Sequence, residues 1–231
     1  MMQRVYRSMV LILALAVTIA QAAAAEPRFL SQKLLDEGWL ELFNGKTLAG
    51  WQPTGGATWT VVDGTVVTKG EKPGWLMTTS EWADFELHVE FKAPAATNSG
   101  VFLRSPLSPT DPTKDCVELN IAPQDNPFPT ASLVGRCPLS TQPQQIYVGD
   151  TMGSGFRPVG EPKGEIDAWD GKWHAFDVVI EGGSARISLD GQCLDTVLLL
   201  GQTPRRGHIG LQAKEGEVAF RNVRIREIRG P

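Results

Sequence analysis

Along residues 85–92, FELHVEFK, apolar and polar positions alternate without a break: Phe85, Leu87, Val89 and Phe91 on one side, Glu86, His88, Glu90 and Lys92 on the other. A period of two is that of a β-strand with one face against a core. Similar short runs recur in GWLMT, GVFLRS, CVELNIA, WHAFDVVIE, HIGLQAK and VAFRNVRIREI. Gly and Pro punctuate them roughly every ten residues, the layout of an all-β antiparallel sandwich or barrel. Asp63-Gly64 and Asp190-Gly191 each sit between β-branched or apolar runs and predict hairpins, because Asp-Gly supplies the positive φ angles of a type I′ turn. Helical spacing is confined to Phe29, Leu30, Leu34 and Leu35, which allow one short helix ahead of the strands. The economical arrangement pairs strands that follow one another in sequence. The stretch from Pro123 to Gly164, rich in Pro, Gly, Gln, Asp and Thr, reads as an irregular region that builds a binding rim.

The first 25 residues change the picture of where this domain works. Arg4 and Arg7 precede an apolar run from Met9 to Ala20, and Ala23 and Ala25 offer small residues before a cleavage point. That is the layout of a secretory signal peptide, with a run too short to span a bilayer. The expected organisation is a signal peptide at 1–25, an N-terminal extension at 26–37 and one β domain at 38–231, in a periplasmic or secreted protein with no membrane span after signal removal. The whole chain carries 22 Lys and Arg against 26 Asp and Glu, a net charge of −4. Loss of Arg4 and Arg7 makes the mature protein more acidic still, which argues against nucleic acid as a partner. Of the cysteines, Cys116 and Cys137 could close the Pro-rich segment in an oxidising compartment, leaving Cys193 over; three buried thiols are the alternative.

The polar faces of the strands carry the candidate chemistry. If Val117, Leu119 and Ile121 point into the core, Glu118 and Asn120 point out; Gln212 stands opposite in parity to Ile209 and Leu211, and Glu90 to Val89 and Phe91. In GVFLRS, Arg104 shares the parity of Phe102. Glu, Asn and Gln are poor strand formers, so their clustering on strands is better suited to a ligand that both donates and accepts hydrogen bonds, such as a polyhydroxylated sugar, than to a merely solvated face. Trp75, Trp82 and Trp169 fall in or beside loops, where a flat ring packs on a sugar; Trp39, Trp51, Trp59 and Trp173 read as ordinary structural tryptophans.

Nine landmarks in order, GWLELFNGKTLAGW, WTVVDGTVV, GWLMT, FELHVEFK, NSGVFLR, the Glu118 strand, GKWHAFDVVI, LDGQCLD and GHIGLQAKEGEVAFRNVRI, resemble the 3-keto-disaccharide hydrolase domain over about residues 38 to 228. The resemblance implies a concanavalin-like jelly-roll sandwich of two antiparallel sheets. It also implies export and cleavage of glycosides whose glucose unit is oxidised at carbon 3. Residue by residue it brings in Asn98 and Arg104 from NSGVFLR, Glu118 from the following strand and Gln212 from GLQ. The chain departs from the family pattern in ELNIAPQDNPFPTASLVGR and at His174, where Asn is common.

A ketone at carbon 3 acidifies the hydrogen on carbon 2; its removal gives an enolate that expels the glycosidic oxygen from carbon 1, and water then adds. The route needs a base near carbon 2, a cation or strong donor near the carbon 3 oxygen, and an acid near the leaving oxygen. Glu118 or His174 is the candidate base, and Arg104 the candidate electrophile, with Asn98, Asn120, Glu90 and Gln212 holding hydroxyls and Trp75 and Trp169 packing on the ring. Arg104 has a structural alternative, pairing with Glu90 or Glu118. No cofactor is required; a divalent metal held by carboxylates and His174 is an alternative electrophile that no ligand spacing demands. EIDAWD at Glu165 to Asp170 nearly matches a laminarinase-type arrangement, but it runs into Asp170-Gly171 and reads as loop. The rival function on the same fold is a non-catalytic, lectin-like carbohydrate-binding module.

Overall fold

The computed structural model describes residues 30–109, 116–123, 125–126, 130–131, 133–139, 142–147, 171–198 and 204–229. The segment expected to be a signal peptide, EIDAWD and Trp169 lie outside the described residues, as does the side chain of Cys137, so the proposed bridge to the buried Cys116 has no described second half.

After a short helix α1 (Gln32–Asp36), whose N-cap Ser31 oxygen accepts from the Leu34 amide, the described chain is all strand and connection. The strands are β1 (Trp39–Glu41), β2 (Trp51–Gly55), β3 (Thr60–Val62), β4 (Thr65–Thr68), β5 (Gly74–Thr78), β6 (Phe85–Lys92), β7 (Ser99–Ser105) and β8 (Val117–Ile121). They continue with β9 (Leu133–Leu139), β10 (Gln142–Tyr147), β11 (His174–Glu181), β12 (Ser184–Leu189), β13 (Gln192–Leu198), β14 (His208–Ala213) and β15 (Val218–Glu227). Two antiparallel sheets result, the expected jelly-roll sandwich. One runs β13-β12-β11-β6-β15-β4-β3 with β1 added on β15, and the other β10-β9-β8-β7-β14-β5-β2. Both Asp-Gly hairpins form, with Asp63 at φ 48° and Asp190 at φ 51°, joining β3 to β4 and β12 to β13.

Between the sheets lies a single apolar cluster fed by the inward positions that alternation predicts: Phe85, Leu87, Val89 and Phe91 from β6, Val101 and Leu103 from β7, Leu119 and Ile121 from β8. Phe91 stacks on Phe176 with ring centroids 4.7 Å apart. Each such side chain taken out of water stabilises the fold by roughly 1.5–3 kcal/mol.

Sequential pairing, the simplest expectation, fails where it matters most. β6 pairs with β11 and β15, and β7 pairs with β8 and β14. The connection after Lys92 therefore crosses from one sheet to the other, and the polar faces of β6 and β7 look out on opposite sides of the sandwich. The Pro123–Gly164 region also departs from expectation, since β9 and β10 form a hairpin inside it that places Pro138 opposite Pro143. Proline weakens the strand signal, and β10 is an edge strand where a missing amide is tolerated.

Arg104 departs from expectation as well. It takes φ 49° at a register shift between β7 and β14, and the turn of the backbone carries the side chain off the parity of Phe102. The guanidinium, 1% exposed, donates to the Ala83 and Gly182 carbonyls at 2.7 and 2.9 Å and to Asp84 Oδ1 at 2.7 Å. Asp84 Oδ1 also accepts from the Gly182 amide at 2.9 Å. Arg104 thus ties β7 to the start of β6 and the β11–β12 turn, a link between sheets, and its partner is neither Glu90 nor Glu118. Replacing it with Met removes the cation paired with Asp84 and the donor to the Ala83, Gly182 and Pro204 carbonyls; the expected loss is about 3–5 kcal/mol, read as a lowered denaturation midpoint.

Candidate active site

On the outer face of the β7 sheet, strand register brings together residues remote in sequence. Glu118 and Asn120 of β8 face out next to Phe102 and Gly100 of β7, and Gln212 of β14 stands directly opposite Trp75 of β5. Gly100 is a glycine for a spatial reason: a Cβ there would meet Glu118 Cγ at 2.8 Å and Cδ at 3.0 Å. The Glu118 side chain therefore lies flat across β7, in the space that Gly100 leaves open beside β14. Trp75 meets Phe102 edge to face, with centroids 5.9 Å apart, and supplies an aromatic wall to this polar patch.

The electrostatics of the patch are set by burial. Loss of water around Glu118 pushes its carboxyl up to about 8 from the usual 4.5, and the charge of Lys214 pulls it partly back. Lys214, exposed and two residues beyond Gln212, continues the outward parity of β14. Gln212 is 2% exposed, yet its Oε1 has no hydrogen-bond partner, and neither has the buried Trp75 Nε1–H. Orphaned buried polar atoms next to a neutral acid are the signature of a site whose ligand completes it. Half-buried Asn98 joins the end of this face, its backbone bridging to Glu215 beside Lys214.

The remaining sequence candidates go elsewhere. Glu90 faces out from the other sheet, where it accepts from Arg221 at 2.6 Å and from Asn222. Burial works to raise its pKa, but these hydrogen bonds outweigh it and hold the carboxyl below its usual range. On the same outer face His88 pairs with Asp177 at 2.7 Å, Glu86 with Arg226 at 2.6 Å, and Arg221 lies over the Trp173 ring at 4.0 Å, while Arg224 Nε is buried without a hydrogen-bond partner. His174, at the start of β11 in that sheet, binds Asp190 at 2.8 Å while Asp190 also caps the Ala175 amide, so it braces a hairpin and does not reach Glu118. Arg104 is consumed between the sheets. His174 and Glu118 sit on different sheets, and among the described residues no three His, Cys, Asp or Glu side chains group as metal ligands. A cavity of about 610 Å³ along β3 and β4 is lined by Thr58, Thr60 and four exposed charges and holds no buried acid.

Two residues escaped sequence reasoning. Lys214 could have been found by carrying the Gln212 parity two positions further. Gly100 could not, since its role is visible only once Glu118 lies over it.

Residues 38–226 match the model of the 3-keto-alpha-glucoside-1,2-lyase-like domain. The chain belongs to that family. Membership supports a carbohydrate-related function for the chain. No curated protein matches the chain. Among solved structures it is similar to a Parabacteroides distasonis protein described as a glycosyl hydrolase, at 20% identity and TM-score 0.64, over 88% of this chain and 100% of that one. A carbohydrate-binding module from Bacillus subtilis aligns at 14% identity and TM-score 0.52, over 77% of this chain and 96% of the module. The β-glucanase of Bacillus licheniformis aligns at 15% identity and TM-score 0.52, over 83% and 99%. At these identities the three establish the sandwich fold.

The buried carboxyl carries a stability signature. Its folded-state pKa of about 8 lies above the unfolded 4.5, so the stability it permits is fully present below pH 4.5 and is lost as pH rises to 8. Glu118→Gln removes that dependence. The unfolding free energy of the variant is expected to gain on wild type by on the order of 3 kcal/mol between acid and neutral pH, measured by denaturant titration across the range.

Proposed function

We propose that this protein is an exported enzyme that cleaves 3-keto-glucosides by proton abstraction at carbon 2, elimination of the group on carbon 1, and addition of water. The observation that carries the proposal is the buried carboxyl of Glu118, laid over Gly100 with its pKa pushed up to about 8. A carboxylate with a raised pKa is a stronger base than an ordinary one, and its position near working pH lets it both take and return a proton. Glu118 takes the hydrogen from carbon 2; the electron pair passes to the carbon 3 oxygen, its return expels the carbon 1 oxygen, which takes up the proton held by Glu118, and water then adds across the carbon 1–carbon 2 double bond. Lys214, whose charge acts on Glu118, is the cation we assign to the negative oxygen, the part that Arg104 cannot play from between the sheets. Gln212, Asn120 and Asn98 hold hydroxyls, and the Trp75 ring packs beside the sugar.

The base assignment fixes the sign of the pH profile. With 3-keto-glucoside as substrate, kcat/KM is expected to climb with pH and level off above about 8, as Glu118 ionises. Glu118→Gln should lose turnover by roughly a hundredfold or more while still binding ligand. Lys214→Met should cost a similar factor and move the rising limb to higher pH, because the charge that draws Glu118 down has gone. Binding without release of reducing sugar in the wild type would contradict the enzyme and favour a lectin-like module on the same face.

A further inference from the structure

Two buried polar atoms on the β7 sheet call for a partner of a particular kind. Gln212 of β14 stands opposite Trp75 of β5, and both side chains face out, since their strand neighbours Leu211 and Leu76 belong to the core. Gln212 Oε1 only accepts a hydrogen bond and Trp75 Nε1–H only donates one, yet the two do not satisfy each other and neither has another partner. A ligand that completes them brings a hydroxyl hydrogen to Gln212 and an electron-rich oxygen to Trp75.

Glu118 beside them is one-sided. Its side chain lies flat over Gly100, and its cross-strand neighbour is Phe102, which exchanges no proton. At 6% exposure the carboxyl is also held away from bulk water. A proton taken from a carbon atom is therefore kept over the same face of the ligand until Glu118 returns it.

The enolate of a 3-keto sugar carries a hydroxyl on carbon 2 next to the negative oxygen on carbon 3. That pair is the complement of Gln212 Oε1 and Trp75 Nε1–H, with the charge of Lys214 acting beside them. Where carbon 1 bears a group outside the ring, the electron pair expels it. Where carbon 1 bears none, the enediolate has another outlet. The hydroxyl proton on carbon 2 passes to the carbon 3 oxygen, carbon 2 becomes the carbonyl, and the electron pair of the double bond takes the proton of Glu118 onto carbon 3.

We infer that this site is also an isomerase that moves a sugar ketone from carbon 3 to carbon 2, Glu118 carrying the hydrogen between the two carbons while Gln212 and Trp75 hold the two oxygens. The inference rests on the base assignment proposed above, but it concerns ligands that offer nothing to expel. It also fixes a stereochemical outcome. Hydrogens on neighbouring ring carbons of glucose lie on opposite faces, so return of the carbon 2 hydrogen to the same face of carbon 3 leaves carbon 3 inverted.

The test ligand is 3-keto-1,5-anhydroglucitol, which has no oxygen on carbon 1 outside the ring, followed by NMR against a protein-free control. The expected product is the 2-ketone inverted at carbon 3. Its formation should slow by roughly a hundredfold in Glu118→Gln and roughly threefold to tenfold in Trp75→Phe, which keeps an aromatic ring and loses the N–H. No 2-ketone with the wild type, a 2-ketone with carbon 3 configured as in glucose, or a rate untouched by either variant overturns the isomerase. Methyl 3-keto-α-glucoside, run in parallel, separates this result from the cleavage reading. Cleavage of the glucoside without isomerisation of the anhydro compound overturns the isomerase alone; isomerisation without cleavage supports it and removes the elimination step; neither reaction overturns both.

Discussion

The structure turns on one costly placement: a glutamate side chain folded down on the outer face of a β-sheet and withdrawn from water. Glu118 lies where a Cβ on Gly100 would be, between β8 and β14, and the surrounding burial keeps its proton on to about pH 8. A carboxyl on a solvated strand would cost nothing and titrate normally. Here the sheet gives up a side chain at Gly100 to make room and leaves Gln212 and Trp75 with unmet hydrogen-bonding atoms around it. Local rules of sheet stability are broken together in one patch, which is where function is expected to sit.

Two buried ionisable groups in this protein show opposite solutions to the same physical problem. Arg104 is 1% exposed, and Asp84 and two backbone carbonyls answer its guanidinium at short range, so its charge is compensated and its job is to hold two sheets together. Glu118 is 6% exposed and has mainly the distant charge of Lys214 to steady its ionised form. The first arrangement is rigid and permanently charged. The second can change its protonation state near neutral pH, a property that proton transfer requires and that a structural brace does not.

Strand parity was legible in the sequence, and it placed Glu118, Asn120 and Gln212 on outward positions that the structure brings to one face, where Trp75, expected in or beside a loop, joins them from within β5. Parity says which side of a strand a residue takes, but not which sheet the strand joins. That is why Glu90, with the same alternation, ends on the far side of the sandwich with Arg221 and Asn222. The crossover after Lys92 and the pairing of β7 with β14 are long-range choices without a local signature. Arg104 defeats parity for another reason, since a positive φ at a bulge rotates the side chain and nothing in NSGVFLR announces it. His174 was a chemically reasonable base, yet its neighbour Asp190 belongs to a turn whose hydrogen bonds are visible only in three dimensions.

The account therefore stands or falls on the protonation of one side chain. Carbon-13 carboxyl NMR on protein labelled at glutamate, with Glu118→Gln to assign the resonance, reads it directly. A Glu118 midpoint near 8 is the predicted result, and a midpoint at the ordinary 4.5 would show a solvated carboxylate and contradict the account.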